Sequence, residues 1–270
     1  MFIKRLLSGI ALVIMAVILI YFGKLPMLLA VAAISIIGQM EFYRAVGIDH
    51  KAIAGIGYAS TVIYYLLVFF EGRAYMTAMI VVTLMAFMTA YVIFFPEYKT
   101  EEVTNAFFGM CYVSVMMSYL YLTRNLSDGI YLVCLIFLSS WGCDTLAYCS
   151  GMLLGKHKMA PKLSPKKTWE GAIGGVLGAA LLGFIFGTIF ESKINEVVNP
   201  SLVCAAACGV GAVISMIGDL CASAIKRNHN IKDYGHIIPG HGGILDRFDS
   251  LLFTAPAIYY AIAVFDQFVK

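Results

Sequence analysis

The stretch from Ser223 to Asp249 holds a dense set of side chains that can bind ions or take part in catalysis. Its sequence is SAIKRNHNIKDYGHIIPGHGGILDRFD, with three aspartates, four of the chain's 19 Lys and Arg residues and three of its five His residues. Glycine and proline recur between positions 235 and 243, which excludes one continuous helix. Because apolar segments flank this polar loop on both sides, we expect the chemistry of the protein to take place here.

Carboxylates are the first component of that chemistry. Asp233, Asp246 and Asp249 lie in the loop, and Asp219 precedes it closely in the flanking apolar segment. Carboxylate oxygens, without cysteine or a crowded set of histidines, suit a hard cation such as magnesium. The residue types therefore predict a magnesium site, and they do not decide which aspartate binds the ion.

Cationic side chains are the second component. The loop contributes four of them: Lys226, Arg227, Lys232 and Arg247. Lys and Arg bind phosphate oxygens, and the GHGG run at 240–243 lets backbone amides approach an anion. His241 in that run fits three roles: a general base, a phosphate donor or a turn residue. Carboxylates for a metal, cations for phosphate and a glycine turn are together typical of phosphoryl or nucleotidyl transfer.

The segment before the loop carries a polar stripe. Asp219, Ser223 and either Lys226 or Arg227 fall on one face of a helix, because residues three and four apart are neighbours on a helix. An ionisable residue inside an apolar helix is costly and needs a partner or a wet cavity. The stripe therefore predicts that Asp219 serves the site to which the loop belongs.

An earlier helix carries a similar stripe. Asp144 is followed at helical spacing by Tyr148, and the helix leads into a second basic loop, 151–169, which contains Lys166 and Lys167. Two helices are thus expected to bring one carboxylate each toward a polar cavity that opens at one membrane surface.

The elements that position these groups are predicted to be membrane-spanning helices. Of the 270 residues, 61% are hydrophobic and 13% are charged, whereas about a quarter of the residues of a soluble domain are charged. Nine apolar segments have roughly the length that crosses a bilayer: 6–23, 26–45, 53–70, 75–95, 104–122, 129–150, 170–190, 201–225 and 250–269. The expected fold class is all-α, a polytopic integral membrane protein with about nine transmembrane helices. The net charge of +3 is too small to predict a nucleic-acid partner.

Charge placement predicts the orientation of these helices. With the N-terminus in the cytoplasm, 14 of the 19 Lys and Arg residues fall on the cytoplasmic side, as the positive-inside rule requires. We expect residues 1–128 to form a scaffold of transmembrane helices. We expect residues 129–270 to form the catalytic region, with two cytoplasmic loops at 151–169 and 226–249. The expected location is the cytoplasmic (inner) membrane, with multiple passes.

The seventh apolar segment is rich in glycine at four-residue spacing, which lets helix backbones approach closely in lipid. The glycines are Gly171, Gly174, Gly175, Gly178, Gly183 and Gly187. Two interpretations remain open from the spacing: packing within the chain, and the seam of a homodimer.

At this point the residues resemble a known family, the phosphatidate cytidylyltransferases or CDP-diacylglycerol synthases. The first loop carries the resemblance in Ser223, Lys226-Arg227, Lys232-Asp233, Gly235, Pro239, His241-Gly242-Gly243 and Asp246-Arg247-Phe248-Asp249. The second carries it in Asp144-Thr145, Ala147-Tyr148, Gly155-Lys156 and Ser164-Pro165-Lys166-Lys167-Thr168-Trp169-Glu170-Gly171. Met152 departs from the pattern, which has a basic residue there. In the N-terminal half only hydropathy, Lys4-Arg5 and Glu41-Phe42 are similar.

The resemblance implies that CTP and phosphatidate react to give CDP-diacylglycerol and pyrophosphate, with magnesium required. It implies metal binding by Asp219 and Asp246, assisted by Asp249 or Asp233, and leaves open a second metal or a monovalent cation. Lys226, Arg227, Lys232 and Arg247 would then neutralise phosphate charge. Ser223 would contact a phosphate or the metal, and Asp144, Lys166 and Lys167 would complete the cavity. Membrane lipid is the implied environment.

Two other functions fit parts of the pattern. A transporter also places polar residues inside a helix bundle, but its halves are commonly repeated, and here the polar residues lie on one side and in loops. An enzyme resembling polyprenol or dolichol kinases would also use CTP at a membrane, but the full signature disfavours it.

Overall fold

A computed structural model describes residues 2–194, 199–238, 240 and 242–269. The described residues form eleven α-helices: α1 Phe2–Phe22, α2 Lys24–Ala45, α3 Ala52–Phe69, α4 Met76–Ile93, α5 Thr100–Gly109, α6 Met116–Arg124, α7 Gly129–Phe137, α8 Cys143–Leu154, α9 Trp169–Ile189, α10 Pro200–Asn228 and α11 Leu245–Val269. Single π-helical segments, Met110–Val115 and Leu138–Gly142, join α5 to α6 and α7 to α8. Each of these pairs therefore forms one continuous apolar helical stretch, Thr100–Arg124 and Gly129–Leu154.

The predicted all-α polytopic membrane fold is confirmed. Within the described part of the chain, seven helical stretches are long and apolar enough to cross a membrane, and α1 adds a shorter apolar helix at Ser8–Phe22. All nine predicted segments coincide with helices, the ninth with α11. The total of nine transmembrane helices and the cytoplasmic N-terminus stay predictions.

The second loop contains a small hairpin that the sequence pattern did not reveal. Strands β1 (Lys158–Ala160) and β2 (Ser164–Thr168) pair antiparallel between α8 and α9. Lys158 lies opposite Thr168, and a register irregularity follows before Ala160 pairs with Ser164. The loop is therefore held as a folded element rather than as an open connection.

The chain forms two compact units. One comprises Met1–Ser118 and His229–Arg247, and the other comprises Tyr119–Asn228 and Phe248–Lys270. The first unit therefore combines the N-terminal helices with most of the loop that carries the signature residues. The predicted functional division between residues 128 and 129 stays a prediction.

A buried polar network fixes the end of α2 in the first unit. The Tyr43 hydroxyl donates to the carbonyl of Ala106 at 2.6 Å and accepts from Gln39 Nε2 at 2.7 Å. Thr61 donates in turn to Gln39 Oε1 at 2.7 Å. Buried polar groups that satisfy one another in this way restrict a core to one arrangement. The network therefore sets the rotation of α2, on which Glu41 also lies.

In the second unit the glycines of α9 serve packing within the chain. A methyl group added at Gly175 would lie 3.0 Å from the Cys143 carbonyl oxygen of α8. A methyl group at Gly183 would overlap the Cys204 carbonyl of α10. Both neighbours are backbone atoms, which cannot swing aside. The intrachain interpretation of the glycine pattern is confirmed, and nothing in it requires a dimer seam.

Replacing Gly183 with alanine is expected to lower the free energy of unfolding by about 1–3 kcal/mol, because the two helix backbones must separate. Gly209 on α10 is the matched control, since an added methyl group there would meet Ala180 of α9 at an ordinary 3.5 Å. Thermal unfolding of both variants in detergent micelles checks this. Equal melting temperatures for the two variants would contradict the packing role of Gly183.

Candidate active site

The signature loop of the first unit is closed by a tight turn. The Ile238 amide donates to the Gly242 carbonyl at 2.9 Å, and Gly240 and Gly242 have φ angles of 78° and 85°, values that favour glycine. Pro239 and His241 lie outside the described residues, so the three roles considered for His241 stay open. The turn brings the end of the loop back toward the start of α11.

Asp246, in the first turn of α11, is tied to this loop. Its Oδ2 accepts hydrogen bonds from the Tyr234 amide at 2.8 Å and the Gly243 amide at 3.0 Å. A methyl group added at Gly242 would lie 3.0 Å from that same oxygen and 3.4 Å from Asp233 Oδ1. Asp246 and Asp233 therefore lie against the same glycine, and the structure brings these two predicted residues together.

Glu41 is a residue of this region that the predicted site did not include. It is fully buried, and its carboxylate accepts from the Ile244 amide at 3.0 Å and from the Leu245 amide at 2.8 Å. A helix N-terminus leaves amide groups without partners and favours negative charge. The backbone amides of three successive residues, 243, 244 and 245, thus each donate a hydrogen bond to a carboxylate. The similarity of Glu41-Phe42 to the family pattern was the sequence signal that could have identified Glu41 as part of this region.

Two glycines make room for the Glu41 carboxylate. A methyl group at Gly235 would overlap its Oε1, and one at Gly243 would lie 2.5 Å from its Oε2. Glycine is therefore required at both positions by close approach, and the loop is fitted around Glu41. The remaining predicted cations of this unit differ in exposure: Lys232 is exposed, and Arg247 is partly buried in α11.

In the second unit, Asp219 of α10 pairs with a lysine from the hairpin. The Lys167 ammonium contacts Asp219 Oδ2, and both side chains are about three-quarters buried, with exposures of 23% and 26%. Lys167 is the penultimate residue of β2. The hairpin thus carries a cation to the carboxylate of the polar stripe, so two residues predicted from separate loops are brought together.

A second pair joins α10 to the start of α11. Lys226 Nζ lies 3.6 Å from Asp249 Oδ2, with exposures of 11% and 10%, and the Ser250 amide donates to Asp249 Oδ1 at 2.8 Å. A methyl group at Gly218 would lie 3.1 Å from the Asp249 carbonyl oxygen, so the two helices approach closely beside Asp219. The predicted polar stripe on α10 could continue through either Lys226 or Arg227. Lys226 pairs with Asp249, whereas Arg227 is exposed.

Ser223 occupies the middle of the predicted stripe on α10. It is buried, with an exposure of 9%, and it lies one helical turn from both Asp219 and Lys226 because α10 continues unbroken to Asn228. The face that the spacing predicted is therefore present.

A cavity of about 400 Å³ lies within the second unit. Asp144, Lys166 and Lys167 line it with polar groups, while methionine, alanine and glycine residues form most of its wall: Ala147, Gly151, Met152, Met159, Gly171, Ala172 and Met216. Tyr148 and Thr168 complete the lining. Asp144 and Tyr148 share the cavity as their spacing predicted. A cavity with charged groups on an apolar wall suits an amphipathic ligand.

The donor atoms fit magnesium in kind. The described residues hold no group of three or more His, Cys, Asp or Glu side chains arranged to bind a metal. Magnesium in phosphoryl-transfer enzymes is commonly held by one or two carboxylates together with substrate phosphates. Asp219 and Asp249, on closely approaching helices, and Asp246 beside Asp233 are carboxylates of that kind. Either pair, taken within its own unit, could hold the ion with substrate present.

The comparisons with known proteins extend along almost the whole chain. The model of the Cytidylyltransferase family matches residues 3–265. The phosphatidate cytidylyltransferase of Bacillus subtilis (strain 168) is 31% identical over 271 aligned residues, which cover 97% of this chain and 98% of the relative.

Shorter matches come from other bacteria. The phosphatidate cytidylyltransferase of Staphylococcus haemolyticus is 37% identical over 150 residues, 56% of this chain and 55% of its own length. That of Rickettsia felis is 38% identical over 154 residues, 56% of this chain and 67% of its own length. With its signature residues in place and a match along nearly its full length, this chain belongs to the cytidylyltransferase family.

Proposed function

We propose that this chain transfers the cytidylyl group of CTP to phosphatidate, forming CDP-diacylglycerol and releasing pyrophosphate. The observation that carries the proposal is the cavity of the second unit, which places Asp144, Lys166 and Lys167 on a mainly apolar wall. A lipid with a phosphate headgroup likewise combines a charged part with an apolar part. The relatives that match this chain are named for the same substrate.

The reaction needs charge to be neutralised more than it needs a base. A phosphate oxygen of phosphatidate is already anionic near neutral pH, and it attacks the α-phosphorus of CTP. The bond from that phosphorus to the bridging oxygen of the β-phosphate breaks, and its electron pair leaves with pyrophosphate. Bringing two polyanions together is the main barrier, and fixed cations lower it.

The side chains of the chain supply those cations. Lys226 and Lys167 are held by carboxylates on α11 and α10, which orients each ammonium group. Lys166 lines the cavity, and we assign Arg227, Lys232 and Arg247 to neutralising phosphate charge as well. Ser223, between Asp219 and Lys226 on α10, would donate a hydrogen bond to a phosphate or bind the metal. His241 keeps its three alternatives.

We propose that Asp219 and Asp246 bind magnesium, with Asp249 or Asp233 assisting. When bound, the ion would polarise phosphate oxygens and stabilise the leaving pyrophosphate. A second metal or a monovalent cation also fits this donor chemistry.

The cytoplasmic membrane is the location we propose, with the two loops on the cytoplasmic side. CTP arrives from water and phosphatidate from lipid, so the loops must meet both. The charge asymmetry of the chain supports this orientation. A homodimer also stays a proposal, and it would have to use surfaces other than the α9 glycines, which contact α8 and α10.

The test uses purified protein in detergent with phosphatidate, magnesium and CTP labelled at either the α- or the γ-phosphorus. We expect label from the α-position to enter the lipid extract, and only when phosphatidate and magnesium are both present. Transfer of the γ-label instead would indicate a lipid kinase. Absence of transfer from either position, with protein that unfolds cooperatively, would overturn the proposed reaction and favour the transporter.

A further inference from the structure

The hairpin between α8 and α9 carries a positive surface that the proposed reaction does not use. Residues 155–169 contain no Asp or Glu, and the side chains of Lys156, Lys158 and Lys162 are exposed. Among the described residues, none of these three ammonium groups forms an ion pair. Lys166 and Lys167, by contrast, line the cavity. Three exposed cations of the hairpin are therefore not among the residues that line the cavity.

The nearest carboxylate in sequence is already engaged. Glu170 accepts from the Lys156 amide at 3.1 Å and the His157 amide at 3.2 Å, and its Oε1 lies 2.6 Å from His157 Nδ1. The Trp169 amide donates to the His157 carbonyl at 3.0 Å. These contacts tie the two ends of the hairpin together, and the carboxylate is directed at backbone and imidazole rather than at the three lysines.

The ends of the hairpin are apolar and exposed. Leu153 and Leu154, at the end of α8, have exposures of 77% and 66%, and Trp169, the first residue of α9, has 56%. Both helices belong to stretches long and apolar enough to cross a membrane, Gly129–Leu154 and Trp169–Ile189. Trp is enriched where a membrane meets water. The ends of the hairpin therefore mark the depth of the interface.

The hairpin is too short to carry its lysines far from that depth. β2 has five residues, which extend about 17 Å at 3.3 Å per residue, and the headgroup layer on each side of a bilayer is about 5–8 Å thick. Lys156 and Lys158 lie within a few residues of Leu154, and Lys162 lies in the turn. At 0.1 M salt the field of a charge extends about 10 Å, so all three act on the headgroup region.

We infer that the hairpin is a docking surface for the anionic phospholipid headgroups of the leaflet it faces. Lys156, Lys158 and Lys162 attract these lipids, while Leu153, Leu154 and Trp169 insert at the interface. The surface enriches negatively charged lipid beside the cavity that Lys166 and Lys167 line. A cluster of lysines next to a membrane helix attracts anionic lipid additively, lysine by lysine.

The test reads lipid contact at Trp169 and needs no turnover, so its result is independent of the proposed reaction. The chain has two tryptophans, and Trp141→Phe leaves Trp169 alone. The protein is placed in lipid nanodiscs that contain equal fractions of phosphatidylcholine and phosphatidylglycerol, with one or the other brominated on its acyl chains. Bromine quenches tryptophan on contact, so the ratio of the two quenching efficiencies reports which lipid lies beside the hairpin.

We expect brominated phosphatidylglycerol to quench about threefold more strongly than brominated phosphatidylcholine at low salt. The ratio should fall to one in the K156Q/K158Q/K162Q variant and at 1 M salt, where the screening length is only about 3 Å. The matched control is K24Q/K99Q/K193Q, which removes the same charge at exposed lysines elsewhere and should keep the preference.

Equal quenching in the parent protein, or a preference that survives in the hairpin variant, would overturn the inference. If Trp141→Phe prevents folding, the same lysine variants are compared with both tryptophans present, because Trp141 is common to all of them and any change in the ratio then comes from the lysines. Loss of the preference in the control variant as well would indicate attraction by net charge alone and would equally overturn it.

Discussion

Replacing Glu41 with alanine is expected to remove most cytidylyl transfer and to destabilise the protein, although Glu41 has no predicted contact with either substrate. Its carboxylate accepts from the Ile244 and Leu245 amides. A buried amide left without a partner costs about 1–3 kcal/mol, so two of them correspond to about 2–6 kcal/mol. Because the preceding amide, that of Gly243, donates to Asp246, loss of Glu41 also releases the segment that holds Asp246.

Graded substitutions separate support of the loop from general damage. Glu41→Gln keeps one carbonyl oxygen but turns an amide nitrogen toward the other backbone amide, so we expect an intermediate melting temperature and intermediate activity. Activity of Glu41→Gln should recover at raised magnesium if misplacement of Asp246 is the cause. Thermal unfolding in detergent and transfer of α-labelled phosphate from CTP at several magnesium concentrations measure these effects.

Glu102 provides the matched control in the same unit. Its Oε1 accepts from Lys51 Nζ at 2.7 Å and its Oε2 from the Lys99 amide at 3.1 Å, but its side chain is 22% exposed. A partly solvated pair of this kind contributes about 1 kcal/mol or less. Glu102→Ala should therefore stay folded and active. Glu41→Ala as active and as stable as Glu102→Ala would contradict the role given to Glu41.

What the sequence predicted correctly depends on local periodicity. The helices follow from long apolar runs, and the face shared by Asp219, Ser223 and Lys226 follows from 3.6 residues per turn. The cavity neighbours Asp144 and Tyr148 follow from the same rule. These relations involve residues within two helical turns of each other, where backbone geometry alone fixes which side chains are neighbours.

What the sequence did not predict depends on partners far apart in the chain. Glu41 and Leu245 are separated by 204 positions, and a glutamate near the end of an apolar helix looks like one solvated at the interface. The pairing of Lys167 with Asp219 likewise requires the hairpin, whose strands KMA and SPKKT are short and lack the alternation of a half-buried strand. Spacing identified the charged residues but not which carboxylate each lysine would meet.

Replacing Asp246 with asparagine is expected to abolish activity while leaving the loop folded. One oxygen, Oδ2, accepts from both Tyr234 and Gly243, and the asparagine carbonyl can take its place. The negative charge is lost, however, and with it a proposed metal-binding carboxylate. Removing several kcal/mol of transition-state stabilisation corresponds to a fall in kcat of about 100-fold or more. The melting temperature should stay within a few degrees of that of the parent protein, because we expect the free energy of unfolding to change by about 1 kcal/mol or less.

Asp246→Ala tests the role of the same side chain as a hydrogen-bond acceptor. It removes the charge and also leaves the Tyr234 and Gly243 amides without their acceptor, so we expect equal loss of activity together with a clearly lower melting temperature. Asp49→Asn, in an exposed turn of the same unit, controls for the loss of one carboxylate. The comparison assigns the two functions of Asp246 separately: a difference in stability between Asn and Ala measures its hold on the loop, and their shared loss of activity measures its charge. Magnesium-dependent activity retained in either variant would limit Asp246 to supporting the loop and leave the metal to Asp219 and Asp249.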